Sequence, residues 1–299
     1  MSALDIPQAR PLQRPLWRAY LELTKPRVVA LMVFTVLVGM LLSTRHAVPW
    51  QVLVFGSLGI ALVAGSAAAV NHLVDQRLDA MMARTRARPL PRGVLGSAQV
   101  AWFAVLMCVA GIVLLLVFTN PLCAALTFAA QVGYALVYSL YLKHATPQNI
   151  VIGGAAGAAP PLLGWVAVTG QPDAGAWLLF LIIFVWTPPH FWALAIHRRD
   201  DYARAGVPML PVTHGIAFTA NRILHYSLAL LAVTALPVAI GLSGGFYLAC
   251  ALPLGIGFVV MAWRLRRDQR LAMPTFRYSI AYLGALFAAL LVDHFLRAA

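Results

Sequence analysis

The feature that most limits this chain is a succession of apolar runs, each long enough to cross a lipid bilayer. A membrane-spanning helix needs about 20 apolar residues, and runs of that size recur between polar breaks along the 299 residues. Inside hydrocarbon each backbone N–H and C=O must be paired within the protein, so runs of this kind cross as helices. Nine candidate helices result, near residues 28–43, 50–74, 98–118, 121–142, 149–169, 175–197, 222–241, 245–264 and 277–296. The fold class expected is an all-α membrane protein. Composition agrees, since 62% of the residues are hydrophobic and 10% charged, against about 25% charged in a soluble domain. No polar stretch is long enough to fold by itself. The organisation expected is therefore a cytosolic segment, 1–27, followed by one polytopic domain, 28–299. The leading segment contains Asp5 and Glu22 and lacks a long apolar core, which is unlike a cleaved signal or transit peptide.

Charge sets the expected orientation. With the N-terminus in the cytosol, the inner segments hold 20 of the 22 Lys and Arg, every one but Arg45 and Arg297. Cytoplasmic loops carry such an excess, so the net charge of +13 is accounted for by topology and by attraction to anionic lipid heads, with no nucleic-acid partner. Cys108, Cys123 and Cys250 stand singly in apolar runs, which supports neither a disulfide framework nor a cysteine metal site.

Two inner loops are long, around residues 75–97 and 198–221, and together they hold four of the nine acidic residues. Both run from a helix end through acids and arginines to a proline-rich turn and a glycine. They are either a weak internal repeat or two loops built from similar turn residues. Asn71, Asp75 and Asp79 recur every four residues, which on a helix turns each side chain by only about 40° with a rise of about 6 Å. Two carboxylates and an amide oxygen on one face make a hard oxygen site suited to Mg²⁺ shared with substrate phosphates. Arg84, Arg86, Arg88 and Arg92 follow, and guanidinium groups match phosphate oxygens bidentately. Solvated charges at a helix end would explain the arginines, but not two acids and an Asn aligned at the end of a span. In the second loop Asp200 and Asp201 point apart, so only one of them can face such a site. Lys143 follows Tyr134, Tyr138 and Tyr141 and is a candidate phosphate contact, with topology alone as the simpler account.

The segments NHLVDQRLDAMMARTRARPLPRG, YSLYLKHATPQNIVIGGAAGAAPPLLGWVAVTG and WTPPHFWALAIHRRDDYARAGVPMLPV resemble the UbiA-type intramembrane prenyltransferases, and the last two resemble the branch acting on haem. The resemblance covers roughly residues 20–295. It implies a nine-helix bundle around a central cavity, with the acidic motifs at its cytosolic mouth. It places Asn71, Asp75 and Asp79 in the first Mg²⁺–diphosphate motif and Asp201 in the second. Arg84, Arg88, Lys143 and Arg198 become diphosphate contacts. The wider family has a second acid four residues on, where this chain has Ala205, which leaves a full second metal site in doubt.

The resemblance further implies transfer of the farnesyl group of farnesyl diphosphate to a vinyl group of protohaem IX, with addition of water. Product handover to a haem A synthase or a terminal oxidase assembly would follow. The expected place is the bacterial inner membrane. His190 is then a candidate haem contact, with Trp186 beside it, although core packing explains Trp186 more simply. Pro188 and Pro189 are expected to bend the helix there and make room for a macrocycle. Gly153 and Gly157 form a G-x-x-x-G face, which predicts close helix packing; a flat wall for a porphyrin is the alternative. A quinone-type prenyltransferase would share the first motif but not the haem-branch segments. A transporter would place its acids nearer the bilayer midplane, and a haem chaperone would not need the acidic motif.

Overall fold

The computed structural model describes residues 15–82 and 85–298, with His144 described in its backbone alone. Residues 1–14, 83, 84 and 299 lie outside the described residues, and with them most of the leading segment and the candidate contact Arg84. Among the described residues the fold is all-helical. A short helix α1 (Leu16–Leu23) meets α2 (Pro26–Leu42) at 50°. Eight helices long and apolar enough to cross a membrane follow: α3 (Val52–Val74), α4 (Ser97–Phe118), α5 (Pro121–Leu142), α6 (Asn149–Thr169), α7 (Ala174–His197), α8 (Ile216–Ala239), α9 (Gly245–Leu265) and α10 (Gln269–Ala298). With the bent pair counted as one span there are nine.

Two spans begin earlier than the apolar runs indicate, at Ile216 rather than 222 and at Gln269 rather than 277. Arg222 and Arg277 end the apolar runs, but a helix continues past the edge of the hydrocarbon because its backbone pairs with itself. The Arg222 guanidinium lies 4.8 Å from the ring of Phe218, one turn before it. The described part of the leading segment, residues 15–27, is likewise part of the packed body. Ala19 and Leu23 are buried in one cluster with Leu90 and Leu95 of the loop that follows α3 and with Val100 of α4.

Helices α2, α6, α7 and α10 pack in a closed ring, with α3, α4 and α5 on one flank and α8 and α9 on the other. The central share of α6 is 67% buried and that of α4 only 22%, so α6 lies inside and α4 faces outward. Lipid tails are as apolar as leucine, so helices in a membrane associate through close packing of small residues. Here that packing occurs where α2 crosses α6. A Cβ on Gly39 would collide with the Pro161 carbonyl, and one on Gly164 with the Val36 carbonyl.

Only one member of the G-x-x-x-G pair plays such a part. Gly153 accommodates the ring of Tyr138, and a Cβ on Gly157 would meet nothing within 4 Å. The expectation of close helix packing therefore holds at Gly153, against α5, and fails at Gly157. Helix α7 also runs unbroken through Pro188 and Pro189, enclosed by α6, α8 and α10. The double proline makes no break in the helix, and on α6 Gly157 borders open space.

Candidate active site

The first acidic motif sits where α3 ends. Asp75 interrupts the helix, and a further turn, Gln76–Met81, carries Asp79. The backbone still pairs four residues apart across the break, Asp75 N–H to Asn71 O at 2.9 Å and Asp79 N–H to Asp75 O at 2.7 Å. The shared face expected from the spacing is thereby kept. All three side chains are buried, at 4 to 5% exposure. Burying a carboxylate costs several kcal/mol unless it is paired and hydrogen-bonded, and each member of this motif faces a cation. Lys25 Nζ donates to Asn71 Oδ1 at 2.7 Å, Lys143 Nζ to Asp75 Oδ1 at 2.6 Å and Arg88 to Asp79 Oδ2 at 2.6 Å. The Asn71 amide also donates to Asp75 Oδ2 at 3.0 Å and to Ser139 Oγ at 3.1 Å, which orients its oxygen toward Lys25.

These contacts bring together Asn71, Asp75, Asp79, Arg88 and Lys143 from α3, the following loop and the end of α5. Two carboxylates against three cations leave one positive charge over, so the cluster as a whole attracts an anion. Among the described residues no three His, Cys, Asp or Glu side chains converge on a single point that would hold a metal ion. The donor chemistry nevertheless fits a hard divalent cation, since the motif supplies two carboxylates and an amide oxygen.

The second loop forms its own cluster. Asp201 is paired with Arg204 and lies 3.7 Å from Arg198, and its side chain is 13% exposed, whereas that of Asp200 is 83% exposed. Among the described residues no hydrogen bond or ion pair joins Asp201 or Arg198 to the first motif. The two clusters are neighbours through Tyr138, which lies within electrostatic reach of both Asp75 and Tyr202.

His190 lies on α7 between Trp186 and Phe276, with ring centroids 4.1 and 4.6 Å away. Its Nδ1 is 2.7 Å from Ser279 Oγ of α10. The Ser279 hydroxyl donates to Phe276 O at 2.7 Å, so toward the imidazole it acts as acceptor, and the proton of that contact is on Nδ1. The Nε2 lone pair is thereby left available. Trp186 is buried and donates from Nε1 to Ser279 O at 2.8 Å.

Three contributors were not singled out by sequence reasoning. Lys25 is, among the described residues, the one non-glycine with positive φ, at 50°. That strained backbone marks the break between α1 and α2 and aims the ammonium at Asn71. The signal was a lone Lys before a Pro, which resembles any inner-loop charge. Ser139 lies in a π-helical stretch, Gly133–Leu142, a geometry frequent at functional sites that no residue pattern announces. His72 is 2% exposed, with neither ring nitrogen hydrogen-bonded and Nδ1 3.9 Å from Asp79 Oδ2.

A polytopic helical bundle with buried acids and an excess of cations at one helix end presents an anion-attracting site beside an apolar interior. The chain belongs to the UbiA prenyltransferase family, whose profile matches residues 32–291. It is 63% identical over 285 residues to a protohaem IX farnesyltransferase of Azotobacter vinelandii, covering 95% of each chain. Among solved structures, digeranylgeranylglyceryl phosphate synthase superposes with a TM-score of 0.78 at 18% identity, over 93% of this chain and 98% of that one. A UbiA homologue from Archaeoglobus fulgidus bound to DMAPP and Mg²⁺ gives a TM-score of 0.64 at 16% identity, over 91% and 98%.

Proposed function

We propose that this enzyme transfers the farnesyl group of farnesyl diphosphate to a vinyl group of protohaem IX and adds water, giving haem O and diphosphate. The observation that carries the reading is the row of buried oxygen donors, Asn71, Asp75 and Asp79, each faced by a cation. The acceptor follows from the relative's name at 63% identity over 95% of both chains.

In the reaction the allylic C–O bond of farnesyl diphosphate breaks and its electron pair leaves with the diphosphate. The vinyl carbon bonds to the allylic carbon, and water adds to the cation left on the haem side with loss of a proton. Lys25, Arg88 and Lys143, joined by Arg84 and Arg198, take up the charge growing on the leaving group. Preorganised charge of this kind is commonly the largest single contribution to rate. Asn71, Asp75 and Asp79, with Asp201, would hold Mg²⁺, which supplies Lewis-acid charge at the diphosphate oxygens. The apolar interior keeps bulk water from the allylic carbon until the vinyl group has attacked. His190 would bind the acceptor, its Nδ1 proton held by Ser279 and its Nε2 lone pair free to ligate the haem iron, with Trp186 stacked beside it. The protein lies in the bacterial inner membrane with the acidic loops in the cytosol, and its lipid-soluble product passes to a haem A synthase or oxidase assembly.

Purified enzyme with Mg²⁺ and farnesyl diphosphate is expected to convert protohaem, and not 4-hydroxybenzoate, to a product heavier by one farnesyl group and one hydroxyl group. Mass spectrometry of the products reads the outcome. Prenylation of the benzoate with none of protohaem would reject the acceptor and leave the diphosphate site standing.

A further inference from the structure

The end of the bundle opposite the acidic motif holds a cavity of about 230 Å³, lined by Arg45, His294 and Arg297 together with Leu42, Ser43 and Leu242. It forms where α2, α8 and α10 end. Arg45 and Arg297 are the two basic residues that depart from the charge asymmetry of the other 20, and the fold brings them to one cavity from distant parts of the chain. Both lie within electrostatic reach of His294. Among the described residues Arg45 makes no hydrogen bond or ion pair. Arg297 donates to Gly241 O at 3.2 Å and stands 3.9 Å from Asp293 Oδ2. Asp293 is 2% exposed and is already engaged, accepting from the Gly244 and Tyr247 N–H groups at 2.6 and 3.1 Å at the start of α9. The cavity therefore presents two guanidinium groups and an imidazole, and its neighbouring carboxylate is turned to the backbone.

Guanidinium groups match phosphate oxygens bidentately, and basic pockets at the membrane surface take lipid head groups. The volume lies below the ~300 Å³ at which pockets for drug-sized molecules begin, which suits a head group better than a porphyrin. Ile240, Phe295 and Leu296, next in sequence to residues of this region, are large apolar side chains left exposed. The geometry points to a phosphate-binding site at this end that takes the head group of an anionic phospholipid, with its acyl chains along Ile240, Phe295 and Leu296.

The test compares full-length enzyme from nanodiscs of phosphatidylglycerol with enzyme from phosphatidylcholine, counting retained lipid by native mass spectrometry. The wild type is expected to keep one phosphatidylglycerol and no phosphatidylcholine. Arg45→Gln/Arg297→Gln should lower retention about tenfold, a loss of about 1.4 kcal/mol, and Arg45→Lys/Arg297→Lys should keep most of it. Should the double Gln variant not fold, Arg45→Gln alone carries the test, because that side chain bonds nothing else among the described residues. Equal retention by wild type and a folded Gln variant, or equal retention of the two lipids, overturns the site. Excess inorganic phosphate is expected to leave the lipid in place; if it strips the lipid, the site belongs to free phosphate and the lipid assignment is wrong.

Discussion

At Asp75 and Asp79 a buried carboxylate faces a single strong cation on each side chain, so replacing either acid removes a donor oxygen and strands Lys143 or Arg88. Asp75→Asn and Asp79→Asn are expected to lower turnover by about 10²–10³ or more, the scale of losing a preorganised electrostatic contact. Both variants should remain inserted and helical by circular dichroism, because they keep side-chain shape. In the second loop Asp201→Asn should cost far more than Asp200→Asn, whose carboxylate is 83% exposed. Paired rate measurements at matched expression check the order, and equal losses would reject the choice of Asp201. His190 gives a second prediction at this scale. Groups hydrogen-bonded to the far ring nitrogen of a metal-binding histidine contribute about 10–100-fold in affinity. Ser279→Ala should therefore weaken haem binding by about that factor, read from the Soret band, and His190→Ala should weaken it further. Farnesyl diphosphate binding should change in neither. Unaltered haem binding in His190→Ala would remove the histidine from the acceptor site. The acids were legible from their spacing because a four-residue repeat is a helix property. The cations were less so, since Lys25 and Lys143 come from other parts of the chain and only tertiary packing brings them to Asn71 and Asp75.

Among the helices, the spans were readable from apolar runs, whereas the places where they touch were not. Any glycine in a span satisfies a small-residue pattern, and only the opposing helix decides which one is needed. Gly39 and Gly164 lie against carbonyls of the facing helix, while Gly157 borders open space. Gly39→Ala or Gly164→Ala should push α2 from α6 and destabilise the bundle by about 1–3 kcal/mol, the usual cost of overpacking. Gly157→Ala should leave the melting temperature unchanged or slightly raised, since alanine is the better helix former. Thermal unfolding in detergent distinguishes them, and a larger loss at Gly157 would restore the G-x-x-x-G face as the packing surface. The double proline of α7 does not end the helix. Proline removes one backbone hydrogen bond, but α6, α8 and α10 enclose that stretch and the helix continues. The π-helical turn in α5 works the other way. It places Ser139 against Asn71 with no sequence sign that the helix changes pitch.

For the whole molecule the charge distribution and the fold agree on a polarity. The long loops that follow α3 and α7, with Asp75, Asp79, Asp201 and most of the arginines, lie at one end of the bundle, and Arg45 and Arg297 lie at the other. This polarity was legible from the sequence, because loops alternate between ends whatever the packing of the helices. The proposed function puts the acidic end in the cytosol, where the excess of Lys and Arg would also hold it. Single cysteines in a background with Cys108, Cys123 and Cys250 replaced by alanine test it in intact cells. His46→Cys, in the exposed turn between α2 and α3, and Gln171→Cys, between α6 and α7, should react with a membrane-impermeant maleimide added outside. Gln269→Cys, at the exposed start of α10 on the acidic end, should react only after the membrane is opened. The reverse pattern would put the diphosphate site outside the cell, away from the cytosolic supply of prenyl diphosphate, and would overturn the orientation together with the cytosolic placement of the reaction.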